Sequence, residues 1–483
     1  MIENSEWFIA MHLLVQVGVI LRVLQRPHRE PASRLAWLVV VLVVPVLGII
    51  AYVMLGETSI GRRNQKAMLR AMQGVLLRNG EQANGVAVGK GVPDLYAHLF
   101  RMGQSISGFP AVPGNSATLM ASSPATIEHM VADIDAAQHQ VDVLFYIWLT
   151  DTGGTLMAEA LQRAAERGVT CRVMVDGLGS RALLKSALWR DMGVAGVRTA
   201  IALPLGNFML RPLQRRFDLR NHRKILVIDS AITYCGSQNC ADAEFRVKAR
   251  YAPWVDCMIR VEGPVARQNQ LLFETDWSVY TTRQPGEADG VAEEVGSNGD
   301  AGFTAQVIAS GPTMRHSAMP DLFISLMFTA QRELTISTPY YVPNQSMQGA
   351  LCAAAYRGVR TTLIVPARND SIVVAAASRS YYGELLEAGV DIREYQGGLL
   401  HSKTLTLDGQ ISLIGSANMD RRSFELNFEN NMLLHDPQLT RDLRARQQTY
   451  IDSAVLITMA TVDKWPWYRR LWNNAIAMLG PIL

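Results

Sequence analysis

At 483 residues the chain has room for two or three domains and a sizeable buried core. Hydrophobic residues make up 49% against 18% charged, an apolar excess for a soluble protein, and a net charge of +3 sets up no overall field that would draw in nucleic acid. The five cysteines, Cys171, Cys235, Cys240, Cys257 and Cys352, are scattered without a C-x-x-C pair, which argues against a zinc site or disulfide framework and for small buried thiols.

The first sixty residues hold much of the apolar excess. Trp7 to Leu24 is apolar apart from His12, Gln16 and Arg22, and Arg22 is near enough to an end to snorkel. Its start carries Glu3 and Glu6 and no basic residue, unlike a cleavable signal peptide. Leu35 to Leu55 is uncharged for 21 residues, enough to cross a hydrocarbon core about 30 Å thick, with Trp37 and Tyr52 near its ends. Residues 1–60 therefore read as a two-helix membrane anchor, multi-pass in the inner (cytoplasmic) membrane. Arg26, Arg29 and Arg34 between the runs, with Arg22 at the edge, place that loop in the cytoplasm and lean the rest of the chain to the periplasmic side. Arg62, Arg63, Lys66 and Arg70, after the second run, pull the other way.

After a connecting segment, 61–115, strand and helix patterns alternate, and they do so twice. In 116–283, the strand VDVLFYIWL leads to an Ala-rich helix stopped at Gly168, then to CRVMVDG. In 303–460, LTISTPYYV leads to a helix stopped at Gly358, then to TTLIVPA. Strand, helix, strand predicts an α/β protein of two pseudo-symmetric lobes, with mixed or parallel sheets flanked by helices. A Gly-rich, acidic stretch, 284–302, reads as a flexible linker, and the lobes are expected to face each other across one cleft.

Each half carries the pattern H-x-K-x4-D-x6-G-S-x-N. The first copy places His222, Lys224, Asp229, Ser237 and Asn239; the second places His401, Lys403, Asp408, Ser416 and Asn418. A single H-x-K-x4-D match is weak; two copies at equivalent places in a repeat are not chance. His and Lys two apart on a strand share a face. Two copies converging on one cleft would surround a phosphodiester with imidazoles, ammonium groups, and Ser and Asn side chains as phosphate-binding groups. One imidazole can attack phosphorus while the other protonates the leaving alkoxide, with no metal needed. Asp229 and Asp408, though part of the motif, are assigned a structural, charge-balancing role. Asp256 and Glu429, in equivalent strand-like runs downstream, are candidates to orient the histidines.

At these residues the chain resembles the phospholipase D superfamily. FYIW, DLRNHRK and GSANMDRRSFELNFE extend the likeness to bacterial cardiolipin synthases of the A type over essentially the whole chain. The resemblance implies phosphatidyl transfer between two phosphatidylglycerol molecules, with cardiolipin and glycerol as products and a phosphohistidine intermediate. It implies no cofactor, the membrane bilayer as partner, and no nucleic acid. By analogy His222 is the nucleophile and His401 the acid and base, an order that the near-symmetry of the motifs leaves open. A phospholipase D releasing phosphatidic acid shares every catalytic residue. A non-catalytic membrane scaffold would be expected to lose a motif His or Lys, and all four are present.

Two segments have double readings. The first half is 14 residues longer between its Ala-Gly-Val and its motif, around Leu203 to Phe217, where apolar side chains mix with Arg211, Arg215 and Arg216. It reads as a membrane-dipping segment or as a lobe-packing loop. The tail, 461–483, with Trp465, Trp467, Tyr468 and Trp472 beside Arg469 and Arg470, reads as an interfacial helix or as one docked on the core.

Overall fold

A computed structural model describes residues 2–27, 31–57, 60–61, 64–71, 74, 91–204, 216, 218–281, 302–315 and 317–478. Residues 284–301 of the expected linker, and most of the Leu203–Phe217 insertion, lie outside them.

The N-terminal apolar hairpin is present, with a second arm that differs from expectation. Its first arm is α1 (Ile2–Gln25), of which Trp7–Gln25 is long and apolar enough to cross a membrane. The run from Leu35 to Leu55 is divided into α2 (Pro31–Val43) and α3 (Pro45–Leu55). A residue before proline is pushed out of the helical region, and Val44 sits at φ −127°, ψ 71°. The break is a reversal. In a straight helix Trp37 and Tyr52 would lie about 22 Å apart, yet their ring centroids are 5.3 Å apart. Gly48 permits the closure, since a Cβ there would meet the Val40 carbonyl oxygen at 2.4 Å. Gln16 Nε2 donates to the Val41 carbonyl at 3.0 Å, so the tip of the α2–α3 bend lies beside the middle of α1. Its two legs return toward the Arg22 end, where Glu57 pairs with Arg22 and Arg26.

The two lobes share one strand plan. In the first, β1 (Val112–Leu119), β2 (Gln140–Phe145), β3 (Thr170–Asp176), β4 (Arg198–Ala202), β5 (Lys224–Ile228), β6 (Ile232–Gly236) and β7 (Met258–Glu262) run in the order β1-β7-β6-β5-β2-β3-β4. In the second, β8 (Phe303–Ser310), β9 (Glu333–Ser337), β10 (Arg360–Pro366), β11 (Asp391–Tyr395), β12 (Thr404–Leu407), β13 (Ile411–Gly415) and β14 (Asn427–His435) run β8-β14-β13-β12-β9-β10-β11. Every strand matches its partner in the other lobe. An edge strand, β15 (Ala454–Ile457), is added beside β11, and β1 pairs antiparallel with β8, joining the lobes into one sheet path.

β2, β3 and β4 run parallel, joined by crossovers that include the helices Thr152–Glu166 and Ala187–Val194, as the strand–helix–strand pattern requires. The helix stop at Gly168 is real: its φ of +91° is a left-handed position, and Gly358 repeats it at +84°. The motif strands β5 and β6 form instead an antiparallel hairpin, with β5 against β2. A shared core lies between the lobes, where Leu144, Ile225 and Ile259 pack with Val307, Ile414 and Met432.

The segment 61–115 is more than a connector. Its helix Asp94–Ser107 buries Leu99, Phe100 and Ile106 against Leu322 and Leu326 of the second lobe. The five cysteines are all free and buried. The tail helix Trp467–Ala477 docks Ile476 against Val342, Ala376 and Ala377, and leaves Trp467, Tyr468, Leu471 and Trp472 exposed.

Candidate active site

Each motif begins where a short stretch of one lobe runs parallel to a stretch of the other. Arg220–Asn221 pairs with Asn427–Phe428, and Leu399–Leu400 pairs with Trp254–Val255. The next residue on each side continues the match: the His222 N–H donates to the Phe428 carbonyl and the His401 N–H to the Val255 carbonyl, both at 2.9 Å. One residue beyond those carbonyls stand Glu429 and Asp256. This crossed pairing sets His222 Nδ1 at 3.0 and 2.9 Å from the two Glu429 oxygens, and His401 Nδ1 at 2.6 Å from Asp256 Oδ1. Each imidazole is thus held by a carboxylate from the opposite lobe.

With Nδ1 so engaged, Nε2 is the nitrogen left to face the cavity of about 390 Å³ that both histidines line. Asn239 and Asn418 also line it, so residues of both motifs meet at one cavity. Lys224 and Lys403 are buried beside the histidines, each donating from Nζ to the carbonyl of its own motif's histidine, at 2.7 and 2.6 Å. The motif serines turn toward the carboxylates: Ser237 Oγ donates to Asp256 Oδ1 at 2.6 Å and Ser416 Oγ to Glu429 Oε2. Their hydroxyls are therefore committed to bracing carboxylates, not free to donate to phosphate as the spacing suggested.

The motif aspartates lie at the far end of β5 and β12. Asp229 accepts the backbone N–H groups of Gln138, His139 and Gln140, each at 2.8 Å. Asp408 accepts those of Gln331, Arg332 and Glu333 at 3.0, 2.7 and 2.9 Å. Membership of the motif does not put these two among the groups at the cavity; the structural role expected of them takes a specific form, each tying the end of a motif strand to the start of the strand beside it. A carboxylate suits this because it can accept several N–H groups at once.

Charge in the cluster is set by burial. Burial pushes both imidazoles down to about 4; nearby lysine charge adds to this and the carboxylates oppose it. Burial also lowers Lys224 to about 8, and lowers Lys403, with Lys224 adding repulsion, to about 7. Burial pushes Asp256 up, but His401, Lys403 and Ser237 outweigh it and hold the carboxyl at about 2. Glu429 is likewise held down by His222 and Lys224 against its burial. Near neutral pH both imidazoles are therefore neutral, both carboxylates are ionised, Lys224 is largely charged and Lys403 is partly so, which leaves the cluster without excess positive charge.

Several cavity residues were missed by the motif spacing. The Tyr146 ring meets His222 edge-on at 4.9 Å, and Trp254 lies 4.6 Å from the His401 ring while stacking on Phe245 at 3.9 Å. The aromatic FYIW and the WVD preceding Cys257 were the available signals. Asp420 lines the cavity, pushed up to about 6 by burial while it accepts the Ser423 N–H as a helix cap. Asp370 accepts from Tyr340 Oη at 2.7 Å and pairs with Lys248 across the lobes.

Two α/β lobes that place duplicated His-Lys-Asp motifs on one cavity define a phospholipase D-like catalytic body. The comparisons agree. Residues 130–277 and 323–450 match the family described as cardiolipin synthase, PLD-like domain, and residues 14–57 match the phospholipase D-nuclease N-terminal family. The chain is 37% identical over 475 residues to cardiolipin synthase A of Erwinia tasmaniensis, covering 97% of this chain and 96% of that one. It is 36% identical over 476 residues to cardiolipin synthase A of Serratia proteamaculans, with the same coverage. The crystal structure of phosphatidylserine synthase from Haemophilus influenzae Rd KW20 shares the fold, with a TM-score of 0.60 over 80% of this chain and 100% of that one at 14% identity. The chain belongs to the cardiolipin synthase family of phospholipase D-like phosphatidyltransferases.

Proposed function

We propose that the chain joins two phosphatidylglycerol molecules into cardiolipin and glycerol, by two in-line transfers through one histidine. The observation that carries this is the pair of crossed histidine–carboxylate contacts, each beside a buried lysine, at a single cavity. A bound phosphodiester adds one negative charge to the cluster and favours protons on both lysines and on one imidazole. Nε2 of His222 attacks phosphorus, and the P–O bond to the leaving glycerol breaks as His401 gives its proton to that oxygen. His401, now neutral, removes the proton from a headgroup hydroxyl of the second phosphatidylglycerol. That oxygen attacks phosphorus, the P–N bond breaks, and cardiolipin leaves.

Lys224, Lys403, Asn239 and Asn418 are assigned to the phosphate oxygens, where charge develops in both steps. Glu429 and Asp256 fix the tautomer and stabilise each imidazolium as it forms. Ser237 and Ser416 position those carboxylates, and Asp229 and Asp408 position the motif strands. The choice of His222 as nucleophile rests on the family resemblance.

An inner-membrane location is supported by the relatives and by the apolar helix α1. For its finer placement we propose one crossing by α1, with the α2–α3 bend entering to about half depth and returning. A two-crossing anchor with a periplasmic body is the reading that sequence alone favours. The half-depth bend puts Arg22, Arg26 and Arg34 on the same side as Lys66 and Arg70, which removes the conflict between the two basic clusters and favours a cytoplasmic body. Val194→Cys, at a residue 89% exposed in a chain whose own cysteines are buried, supplies the test. A membrane-impermeant maleimide should label it after lysis; labelling in intact cells would restore the periplasmic reading.

The reaction itself is tested with purified protein in phosphatidylglycerol vesicles containing EDTA. Cardiolipin and glycerol should form in equal amounts. Phosphatidic acid as the main product would make water the acceptor and replace the synthase reading with a phospholipase D.

A further inference from the structure

A second cavity, of about 350 Å³, lies next to the catalytic one and has no part in the mechanism above. Four arginines line it: Arg250 from the first lobe, Arg368 and Arg379 from the second, and Arg469 from the tail helix. Among the described residues that line it none is acidic. Arg379 has one carboxylate at hand, Glu394 at 3.4 Å, which lies outside the lining. Arg469 lies over the Trp465 ring at 4.5 Å, and its pKa is depressed by burial and then by the nearby charge of Arg379. Cations gathered around a hollow without carboxylates in its wall repel one another unless an anion enters.

A separate observation points to the same occupant. Asn473, on the tail helix, lines this cavity and is 3% exposed, yet its Nδ2 has no hydrogen-bond partner among the described residues. A buried amide donor without an acceptor costs free energy that an acceptor in the cavity would recover. Guanidinium groups and an amide N–H are donors, so the complementary ligand is an acceptor-rich anion such as a phosphate.

The surroundings say how that phosphate arrives. Ile372, 72% exposed, and Trp472, 54% exposed, line the arginine cavity itself. Val247, 67% exposed, lines the catalytic cavity, and the stretch 367–376 contributes to both linings. The tail helix adds exposed Trp467, Tyr468 and Leu471. Arginines beside exposed aliphatic and indole side chains match the boundary between headgroups and acyl chains.

We propose that this arginine cavity is a docking site for the phosphate of an anionic glycerophospholipid, which holds a second lipid beside the catalytic cleft with its acyl chains along the Ile372–Trp472 rim. The proposal rests on the functional reading for the identity of that lipid, phosphatidylglycerol. It gives the tail helix a specific role, because Arg469, Trp472 and Asn473 form one wall of the site.

The test uses full-length protein in neutral detergent–phosphatidylcholine micelles, titrated with radiolabelled phosphatidylglycerol, in wild type and in an Arg368→Gln, Arg469→Gln double variant. Both are made on a His222→Ala background so that bound lipid is not consumed. The protein with an intact arginine cavity should retain two lipids per chain at saturation and the double variant one. In the catalytically intact protein the same pair of changes should raise KM, expressed as phosphatidylglycerol mole fraction, by about five- to tenfold with kcat within about twofold. Asn473→Asp, which adds a negative charge inside the cavity, should repeat the KM effect, and an unchanged circular dichroism melt would exclude misfolding as its cause. Equal lipid retention and equal KM in all variants would overturn the proposal. Displacement of the second lipid by millimolar inorganic phosphate as readily as by glycerophosphoglycerol-headed lipid would overturn the lipid assignment. Two-site binding without any turnover of phosphatidylglycerol would instead overturn the functional reading and leave the site standing.

Discussion

Around His222 the motif's second residue is Arg223; around His401 it is Ser402. Arg223 is 1% exposed, reaches Asp276 at 2.6 Å, and donates to the Glu429 and Ser310 carbonyls of the other lobe. Asp276 in turn accepts from Asn221 at 2.9 Å, so the stretch before His222 is clamped from both sides. Ser402 makes a hydroxyl contact with Ser337 inside its own lobe, at 3.1 Å. The orienting carboxylates differ as well: Glu429 meets its histidine with both oxygens, Asp256 with one. The two halves present the same groups to the cavity but brace them differently. Such a difference suits two histidines with separate roles, one forming a bond to phosphorus and one only moving protons.

The sharpest way to test that division is to remove each imidazole. His222→Ala and His401→Ala should each reduce kcat by more than about a thousandfold, because groups acting as a unit fail together. The intermediate separates them. Rapid quenching with phosphorus-labelled phosphatidylglycerol should leave acid-labile label on the His401→Ala protein and none on His222→Ala; the reverse pattern would exchange the two roles. The carboxylates come next. Glu429→Gln and Asp256→Asn should each lower kcat by about a hundredfold to ten-thousandfold, by loss of tautomer control. Glu429→Gln should suppress label on the enzyme, since it braces His222, whereas Asp256→Asn should slow its release. Effects that follow each carboxylate's own lobe would refute the crossed pairing.

Much of this was legible in the chain because the chemistry repeats at fixed spacing. The helix stops at Gly168 and Gly358, and the two motifs, were readable from local pattern. The pairing of His222 with Glu429 was not, because 207 residues separate them and it depends on Arg220–Asn221 aligning with Asn427–Phe428. The motif serines misled for a related reason: a hydroxyl beside a glycine suits phosphate in the abstract, but here a buried carboxylate lies closer. The bend at Val44–Pro45 was hidden because prolines are tolerated in membrane helices, and the ring contact between Trp37 and Tyr52 is tertiary.

Exchanging the bracing residues would sharpen the comparison at the level of stability. Arg223→Ser copies the second motif into the first and leaves Asp276 buried beside Asn221 without its cation. Breaking a buried ion pair from one side costs about 3–5 kcal/mol, so a large fall in Tm is expected, measured by calorimetry in detergent. Arg223→Met with Asp276→Leu removes both charges and should recover most of that loss. Ser402→Ala, which deletes a neutral hydroxyl and no ion pair, should cost about 1 kcal/mol. A loss at Ser402 as large as that at Arg223 would mean that the halves are braced alike.

The smallest expected effect is on pH dependence, and it too separates the halves. Lys403 is held near 7 and Lys224 near 8 in the empty cavity, both below the ordinary lysine value. A lysine with a lowered pKa is charged below that value and neutral above it, so anion binding weakens as pH rises, first through Lys403 and then through Lys224. Both histidines are held near 4, so the proton that His401 must carry as acid grows scarcer across this range, and kcat/KM declines with rising pH throughout it. The profile of kcat/KM, which reports the free enzyme, should gain a steeper limb on the alkaline side between about pH 7 and 8, where the lysines lose their charge. Lys403→Arg keeps its charge at all accessible pH values and should move that limb upward by about one unit while leaving the limb at Lys224. A limb unmoved by Lys403→Arg but moved by Lys224→Arg would make the first motif's lysine the more strongly perturbed of the two.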